Sequence, residues 1–176
     1  FASDRYGNFD VFLMSSEGGE PKRLTYHSSD DFPSDFNRND NAVIFSSMRI
    51  DNANCSQFPS ARMPELYIVP VSGGRVRQML SIPAESARYN SRGDLIAFHD
   101  KKGYEDNWRK HHKSSVTRDI WIYNTVAGVF SKVTDFEGED REPVFSYDDK
   151  TLYYLSEESG SYNVFSIDVA NPAGSK

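Results

Sequence analysis

The chain repeats one pattern of residues along its length, and this repeat restricts the fold more than any other feature. A polar residue followed by two apolar residues recurs at intervals of 55, 54 and 44 residues. The four copies are Asp10-Val11-Phe12, Glu65-Leu66-Tyr67, Asp119-Ile120-Trp121 and Asn163-Val164-Phe165. A turn containing glycine and a second short apolar run follow each of the first three copies. Repeats of this length are typical of propellers, in which each copy is one supersecondary unit.

Pairs of aromatic residues nine positions apart mark a hairpin in three of the copies. The pairs are Phe36 and Phe45, Tyr89 and Phe98, and Phe145 and Tyr154. A polar turn separates the two members of each pair, and polar turns between short apolar runs predict β-hairpins. We therefore expect these six aromatic side chains to be mostly buried between adjacent sheets.

Each complete copy predicts four short antiparallel strands. The strands expected after the first copy are 33–37, 42–48, 65–71 and 75–80, then 86–90, 95–99, 118–124 and 129–133, then 142–146, 151–156 and 162–168. The first copy retains the end of one strand together with strands near 9–15 and 21–25. No segment has a sustained 3.6-residue apolar period, so almost no helix is expected.

The predicted fold is therefore all-β: a partial β-propeller of about three and a half four-stranded antiparallel blades. It forms one domain over residues 1–176, with blades near 1–25, 26–80, 81–134 and 135–176. A two-sheet sandwich is the structural alternative, but a sandwich does not require the same turn chemistry at the same place in every copy.

Composition excludes several functional classes. A net charge of −6 disfavours a nucleic-acid partner, which would need a basic surface. No apolar run approaches the roughly 20 residues that span a bilayer, so membrane insertion is not expected. The single cysteine, Cys55, cannot form an internal disulfide, and we interpret it as an inert thiol.

The longest inserts fall on one predicted face, and one of them is basic. In antiparallel blades the loops between second and third strands, 49–64 and 100–117, emerge beside the loops that join neighbouring blades, and such loops commonly carry function. The candidate peptide-binding or anion-binding residues are Arg109, Lys110, His111, His112 and Arg118. Arginine suits this role because its planar fork binds carboxylates and phosphates.

The alternative for this insert is a solvated loop with no ligand. Its cations would then pair with acidic residues of the neighbouring blade-to-blade loop, namely Asp135, Glu137, Glu139 and Asp140. Exposed pairs of that kind contribute only about 0–1 kcal/mol each.

No catalytic residue, metal or cofactor is predicted. The adjacent His111 and His112 point to opposite sides of an extended segment and do not easily share a metal. The acidic run from Asp135 to Glu142 lacks the alternating ligand spacing of a calcium loop. The chain also lacks a Gly-x-Ser-x-Gly nucleophile turn and a glycine-rich phosphate loop.

The repeat resembles that of TolB-type and tricorn-type propellers. The resemblance rests on Ser3-Asp4-Arg5, Asp10-Val11-Phe12, Gly18-Gly19 and Arg23-Leu24-Thr25. Three further segments are similar to the N-terminal propeller of tricorn proteases: Asn107 to His112, Thr117 to Trp121, and Gly138 to Pro143. The typical Ser-Pro-Asp-Gly turn is absent, and Ser146-Tyr147-Asp148-Asp149 comes nearest to it.

The resemblance implies a non-catalytic propeller segment of a tricorn-like serine peptidase that gates or channels peptides and mediates assembly. In that family the catalytic serine and histidine belong to later domains, which resemble tail-specific proteases. A TolB-like interaction propeller without peptidase activity is the main alternative, and the accessory propeller of a prolyl-oligopeptidase-like enzyme is a third.

The expected partners are the remaining domains of the parent chain, peptides, and further copies that associate through open blade edges. The chain begins within an apparent strand at Phe1, so we expect an excised fragment. The compartment stays open, with an exported location favoured over the cytoplasm.

Overall fold

The computed structural model describes residues 1–49, 63–103 and 113–171, and these residues contain strands and no helix. They form two compact units, Phe1–Glu85 and Ser86–Lys176, with the boundary inside one strand. Among the described residues, no helix is long and apolar enough to cross a membrane.

Four antiparallel sheets follow one another along the chain. The first two sheets are β1 (Ala2–Ser3), β2 (Asp10–Leu13) and β3 (Lys22–Arg23), then β4 (Asp31–Phe36), β5 (Ala42–Ser47), β6 (Glu65–Pro70) and β7 (Arg77–Leu80). The other two are β8 (Ala84–Tyr89), β9 (Leu95–Asp100), β10 (Ile120–Asn124) and β11 (Val129–Lys132), then β12 (Asp140–Phe145), β13 (Thr151–Ser156) and β14 (Asn163–Asp168). Each sheet pairs its strands in chain order, so the prediction of an all-β partial propeller is confirmed.

The first strand of each of the last three blades begins two residues earlier than predicted. Asp31 and Asp140 open β4 and β12 and lie opposite Ser47 and Ser156. These positions are polar but buried, so no apolar pattern marked them as strand. Their backbones are nevertheless satisfied, because Asp31 N donates to Phe9 O at 2.7 Å and Asp140 N donates to Arg118 O at 3.1 Å. An equivalent hydrogen bond forms at the start of β8, where Ala84 N donates to Pro64 O at 2.8 Å within the first unit.

A β-bulge interrupts the first strand opposite the aromatic residue of the second. The register shifts between Pro33 and Asp35 in β4, and between Arg141 and Val144 in β12. In the second unit, Ser86 and Glu142 take left-handed backbone conformations, with φ of 52° and 55°. Ser86 Oγ donates to Glu142 Oε1 at 3.0 Å, so a hydrogen bond joins two strained positions of neighbouring blades.

The turns between first and second strands share one backbone conformation despite their different sequences. Asp40, Gly93 and Asp149 occupy the same place in their turns and all have positive φ, at 52°, 75° and 60°. Aspartate tolerates this conformation better than most residues with a β-carbon. The absence of the usual glycine at two of the turns therefore leaves the hairpins intact.

Each unit contains a cluster of buried apolar residues. Phe45 lies with Val11, Leu24 and Val69 in the first unit, and the second unit packs around Ile120 and Leu152. Both Phe45 and Phe98 are fully buried. Tyr89, Phe145 and Tyr154 are half-buried.

We expected all six paired aromatic side chains to be mostly buried, and this prediction is wrong for Phe36, whose side chain is 42 % exposed. It ends β4 at the tip of a hairpin, and the next turn residues, Arg38 to Asn41, are exposed as well. The nine-residue spacing therefore predicts burial for the second-strand aromatics but not for Phe36.

We expect Phe98→Ala to lower the free energy of unfolding by about 3–5 kcal/mol, since the whole ring is removed from a packed interior. Phe36→Ala is the matched control and should cost less than about 1 kcal/mol, because its ring is already partly in water. Urea unfolding of both variants measures the difference. Equal losses would show that the two rings contribute alike.

Candidate functional site

An open cleft of about 460 Å³ lies in the second unit, where the loop before β10 meets the loop before β12. Three lysines and three carboxylates line it: Lys102, Lys113 and Lys132 with Asp119, Asp135 and Glu137. Hydroxyl groups of the 113–117 segment complete the wall. The described parts of the two loops therefore meet on the face where the topology predicted a functional surface.

Asp119 is the electrostatic centre of the cleft. Its carboxylate accepts a hydrogen bond from Lys102 Nζ, and its Oδ2 lies 3.1 Å from Lys132 Nζ. Its backbone N donates to Asp100 Oδ1 at 2.9 Å, and Trp121 Nε1 donates to Asp100 Oδ2 at 3.0 Å. Two of the three lysines are thus held by one nearly buried carboxylate, so Lys113 is left as the most exposed cation of the cleft.

Lys113 has a weaker attachment than the other two lysines. Its Nζ lies 3.7 Å from Glu137 Oε2, and both side chains are largely exposed. Such a pair contributes little to stability and leaves the ammonium group available to a ligand. Burial raises the pKa of Asp100, while the hydrogen bond from Asp119 N and the charge of Lys102 oppose that shift.

Arg118 forms a buried ion pair beside the cleft. Its Nη1 lies 3.1 Å from both carboxylate oxygens of Glu139, and the side chains are only 10 % and 5 % exposed. Thr117 Oγ1 lies 2.8 Å from Ser114 O and 3.0 Å from Glu137 O, so the two carbonyl oxygens share its one hydroxyl hydrogen and the same two loops are joined. These contacts place Arg118 where the two loops meet. Its ion pair with Glu139 is one of the pairs predicted between the basic insert and the acidic loop.

The other predicted site residues, Arg109, Lys110, His111 and His112, lie outside the described residues. Sequence reasoning missed Asp119 and Lys132, because both belong to strand segments and were not treated as loop residues. One signal could have found them: a carboxylate and a donor 13 residues apart recur in the chain. Asp10 pairs with Arg23, and Glu65 accepts from Gln78 Nε2 at 2.6 Å.

Asp140 is a buried carboxylate with an unusual environment. It is 1 % exposed, and burial raises its pKa to about 6, helped by the negative charges of Asp119 and Glu158. The hydroxyls of Ser156 and Thr134 lower the pKa in part. Neither hydroxyl completes a hydrogen bond of normal geometry to the carboxylate, whose two oxygens have no such partner among the described residues.

The described ranges contain no group of three or more histidine, cysteine, aspartate and glutamate side chains arranged to hold a metal ion. The cleft offers ammonium groups, carboxylates and hydroxyls side by side, and these groups together can bind a polar, zwitterionic segment such as a peptide end.

Comparisons with known proteins show the family to which the repeated sheets belong. The family model described as the tricorn protease N-terminal beta propeller domain matches residues 1–176. No curated protein sequence matches the chain. A crystal structure of the tricorn protease superposes with a TM-score of 0.70 at 22 % identity, covering 92 % of this chain and 15 % of that one.

Two further solved structures share the fold. TolB from Acinetobacter baumannii superposes with a TM-score of 0.69 at 20 % identity, covering 96 % of this chain and 37 % of TolB. A puromycin-hydrolyzing peptidase of Mycobacterium tuberculosis gives 0.67 at 11 % identity, covering 98 % and 29 %. The chain spans well under half the length of each of these proteins, and at these identities the similarity shows the fold.

Asp140 should make the protein less stable as the pH rises. The unfolded chain loses this proton near pH 3.8, while the folded chain retains it to about pH 6. The contribution of this group to stability is therefore greatest below about pH 4 and declines through pH 6, by about 2–3 kcal/mol in total. Asp140→Asn should remove that decline, which urea unfolding at pH 4.5 and 7.5 measures. An equal decline in both proteins would contradict this assignment.

Arg118→Met should destabilise the fold by about 3–5 kcal/mol, because Glu139 would remain buried without its cation. The double variant Arg118→Met with Glu139→Leu should recover most of that loss. Thermal and urea unfolding of the two variants separate this structural role from a ligand-binding role. A single variant as stable as the wild type would show that the pair does not hold the loops.

Proposed function

Because the chain belongs to the family of tricorn protease N-terminal β-propeller domains, we propose that it is the non-catalytic propeller segment of a serine peptidase, where it guides peptides toward a catalytic domain elsewhere in the same protein. The observation that carries this proposal is the family match over residues 1–176. The remaining domains of the parent protein are its first partners, and assembly through blade edges is a second role.

The cleft of the second unit supports peptide contact. Lys113 offers an exposed ammonium group to a terminal carboxylate. Asp135 and Glu137 offer carboxylates to a basic group, and Ser114 and Ser115 offer hydroxyls to peptide amides. Exposed contacts of this kind are individually weak and easily reversed, as a segment that passes peptides onward requires.

An interaction propeller without a peptidase is the alternative function. The similarity to TolB is nearly equal to the similarity to the tricorn protease, so the fold does not distinguish the two functions. Hydrolysis of unstructured peptides by the intact parent protein distinguishes them. Peptide hydrolysis favours the first function, and a parent protein that binds other proteins but hydrolyses no peptide favours the second.

Peptide contact at the cleft is tested with Lys113→Ala in the intact protein. We expect affinity for a short peptide with a free C-terminal carboxylate to fall about fivefold at low salt, because one exposed charge–charge contact is lost. Fluorescence anisotropy of a labelled peptide measures this change.

Lys150→Ala is the matched control, since Lys150 is also an exposed lysine in a weak pair, with Asp148 at 3.8 Å. It should leave the affinity unchanged, and a C-terminally amidated peptide should not distinguish Lys113→Ala from the wild type. Equal affinities for both variants and both peptides would remove the cleft from the proposed function.

A further inference from the structure

Three blades share a cross-strand aromatic pair between their second and third strands. The pairs are Phe1 with Phe12, Phe45 with Tyr67, and Tyr154 with Phe165, with ring centroids 5.7, 5.8 and 6.0 Å apart. The pairing of the backbones places these residues at equivalent positions, so the surroundings of the three pairs can be compared directly.

In the first two blades an arginine four residues after the second-strand aromatic covers the pair. The Cζ atom of Arg5 lies 4.7 Å from the centroid of the Phe12 ring. The Cζ atom of Arg49 lies 5.2 Å from the Phe45 ring and 5.4 Å from the Tyr67 ring. These distances are those of cation–π contacts.

In the second blade the same guanidinium also neutralises a buried carboxylate. Arg49 Nη2 lies 2.6 Å from Asp31 Oδ2, and Arg49 Nε donates to Asp31 Oδ1 at 3.3 Å. Asp31 is fully buried at the start of β4. The guanidinium of Arg49 thus contacts both the carboxylate of Asp31 and the rings of the aromatic pair in this blade.

The fourth blade keeps the carboxylate and the rings but replaces the arginine. Asp140 lies opposite Ser156 as Asp31 lies opposite Ser47, and the position equivalent to Arg49 is Glu158. The carboxylate oxygens of Asp140 are buried without a hydrogen-bond partner among the described residues.

The rings of the fourth blade remain accessible. Tyr154 and Phe165 are half-buried, whereas Phe45 and Tyr67 of the second blade are 0 % and 7 % exposed beneath their arginine. Part of the surface of these two side chains therefore faces solvent.

The electrostatics of this position favour a cation. The charges of Asp119 and Glu158, both negative, raise the pKa of Asp140, and its polar neighbours are the hydroxyls of Thr134 and Ser156. Burial raises the pKa of Tyr154 to about 12, and the charges of Asp140 and Glu158 add to that effect. Both of these charges are negative, so a positive group beside Tyr154 is stabilised.

We propose that Asp140, Tyr154 and Phe165 form a binding site for the guanidinium group of an arginine supplied by another polypeptide. Such a group would take the place that Arg49 takes in the second blade, with its plane on the rings. Because the carboxylate oxygens of Asp140 are buried, the fork reaches them when the side chains above that carboxylate move aside. Glu158 at the exposed rim adds a second carboxylate for the same side chain. The site uses none of the residues proposed for peptide contact at Lys113, so the two proposals fail separately.

The probe for this site is N-acetyl-arginine N-methylamide, with the citrulline analogue as its uncharged match. We expect the arginine compound to shift the NMR signals of Tyr154 and Phe165 at pH 7.5, and to bind at least about tenfold more tightly than the citrulline compound. Below pH 6 the affinity should fall, because protonation of Asp140 removes its charge.

Three variants complete the test. Glu158→Arg supplies the cation within the chain and should abolish binding, while Glu157→Arg makes the same charge change one residue away and should keep the affinity within about twofold. Asp140→Asn should weaken binding at least about tenfold. Undiminished binding to Glu158→Arg or to Asp140→Asn would overturn the proposal, as would equal binding of the arginine and citrulline compounds.

Discussion

The register between the second and third strand of each blade is the constraint on which the rest of the structure depends. It sets Phe45 opposite Tyr67, Phe98 opposite Trp121 and Tyr154 opposite Phe165. Because side chains alternate between the two faces of a sheet, a slip of one residue would turn every one of these rings to the other face. The same register brings the residue four positions beyond the second-strand aromatic over the rings in the first two blades. Core packing and surface charge are therefore specified together.

Polar contacts hold the short fourth strands in their sheets, because these strands have little apolar surface of their own. All four residues of β11 are exposed, and β3 contains only two residues. Carboxylates at the start of the third strand reach across to them, as Asp10 does to Arg23 and Asp119 does to Lys132. A threonine hydroxyl adds to this tie, since Thr25 Oγ1 and Thr134 Oγ1 accept from the third-strand backbone at 2.9 and 3.0 Å. Polar contacts thus replace the burial that these strands lack.

The repeat was sufficient to predict the sheets, because turn chemistry and apolar periodicity are local properties. The repeat failed where a polar residue is buried or an apolar residue is exposed. Asp31 and Asp140 are buried strand residues that no apolar pattern reveals. Phe36 is an aromatic residue at an exposed hairpin tip. The burial of the Arg118–Glu139 pair was equally hidden, since exposed pairs were expected and only the folded loops bring these two residues into the interior. The predicted pairing of this insert with the acidic loop was nevertheless present in the sequence as complementary charge.

The strained residues Ser86 and Glu142 have a consequence for how the second unit forms. A left-handed backbone at a residue with a β-carbon costs about 1 kcal/mol, and here the two such residues share one hydrogen bond. Neither blade gains that bond alone, so each carries its distortion uncompensated until the other has folded. Repeat proteins balance the intrinsic stability of each repeat against the coupling to its neighbour. In this unit the shared hydrogen bond adds to the coupling between the two blades.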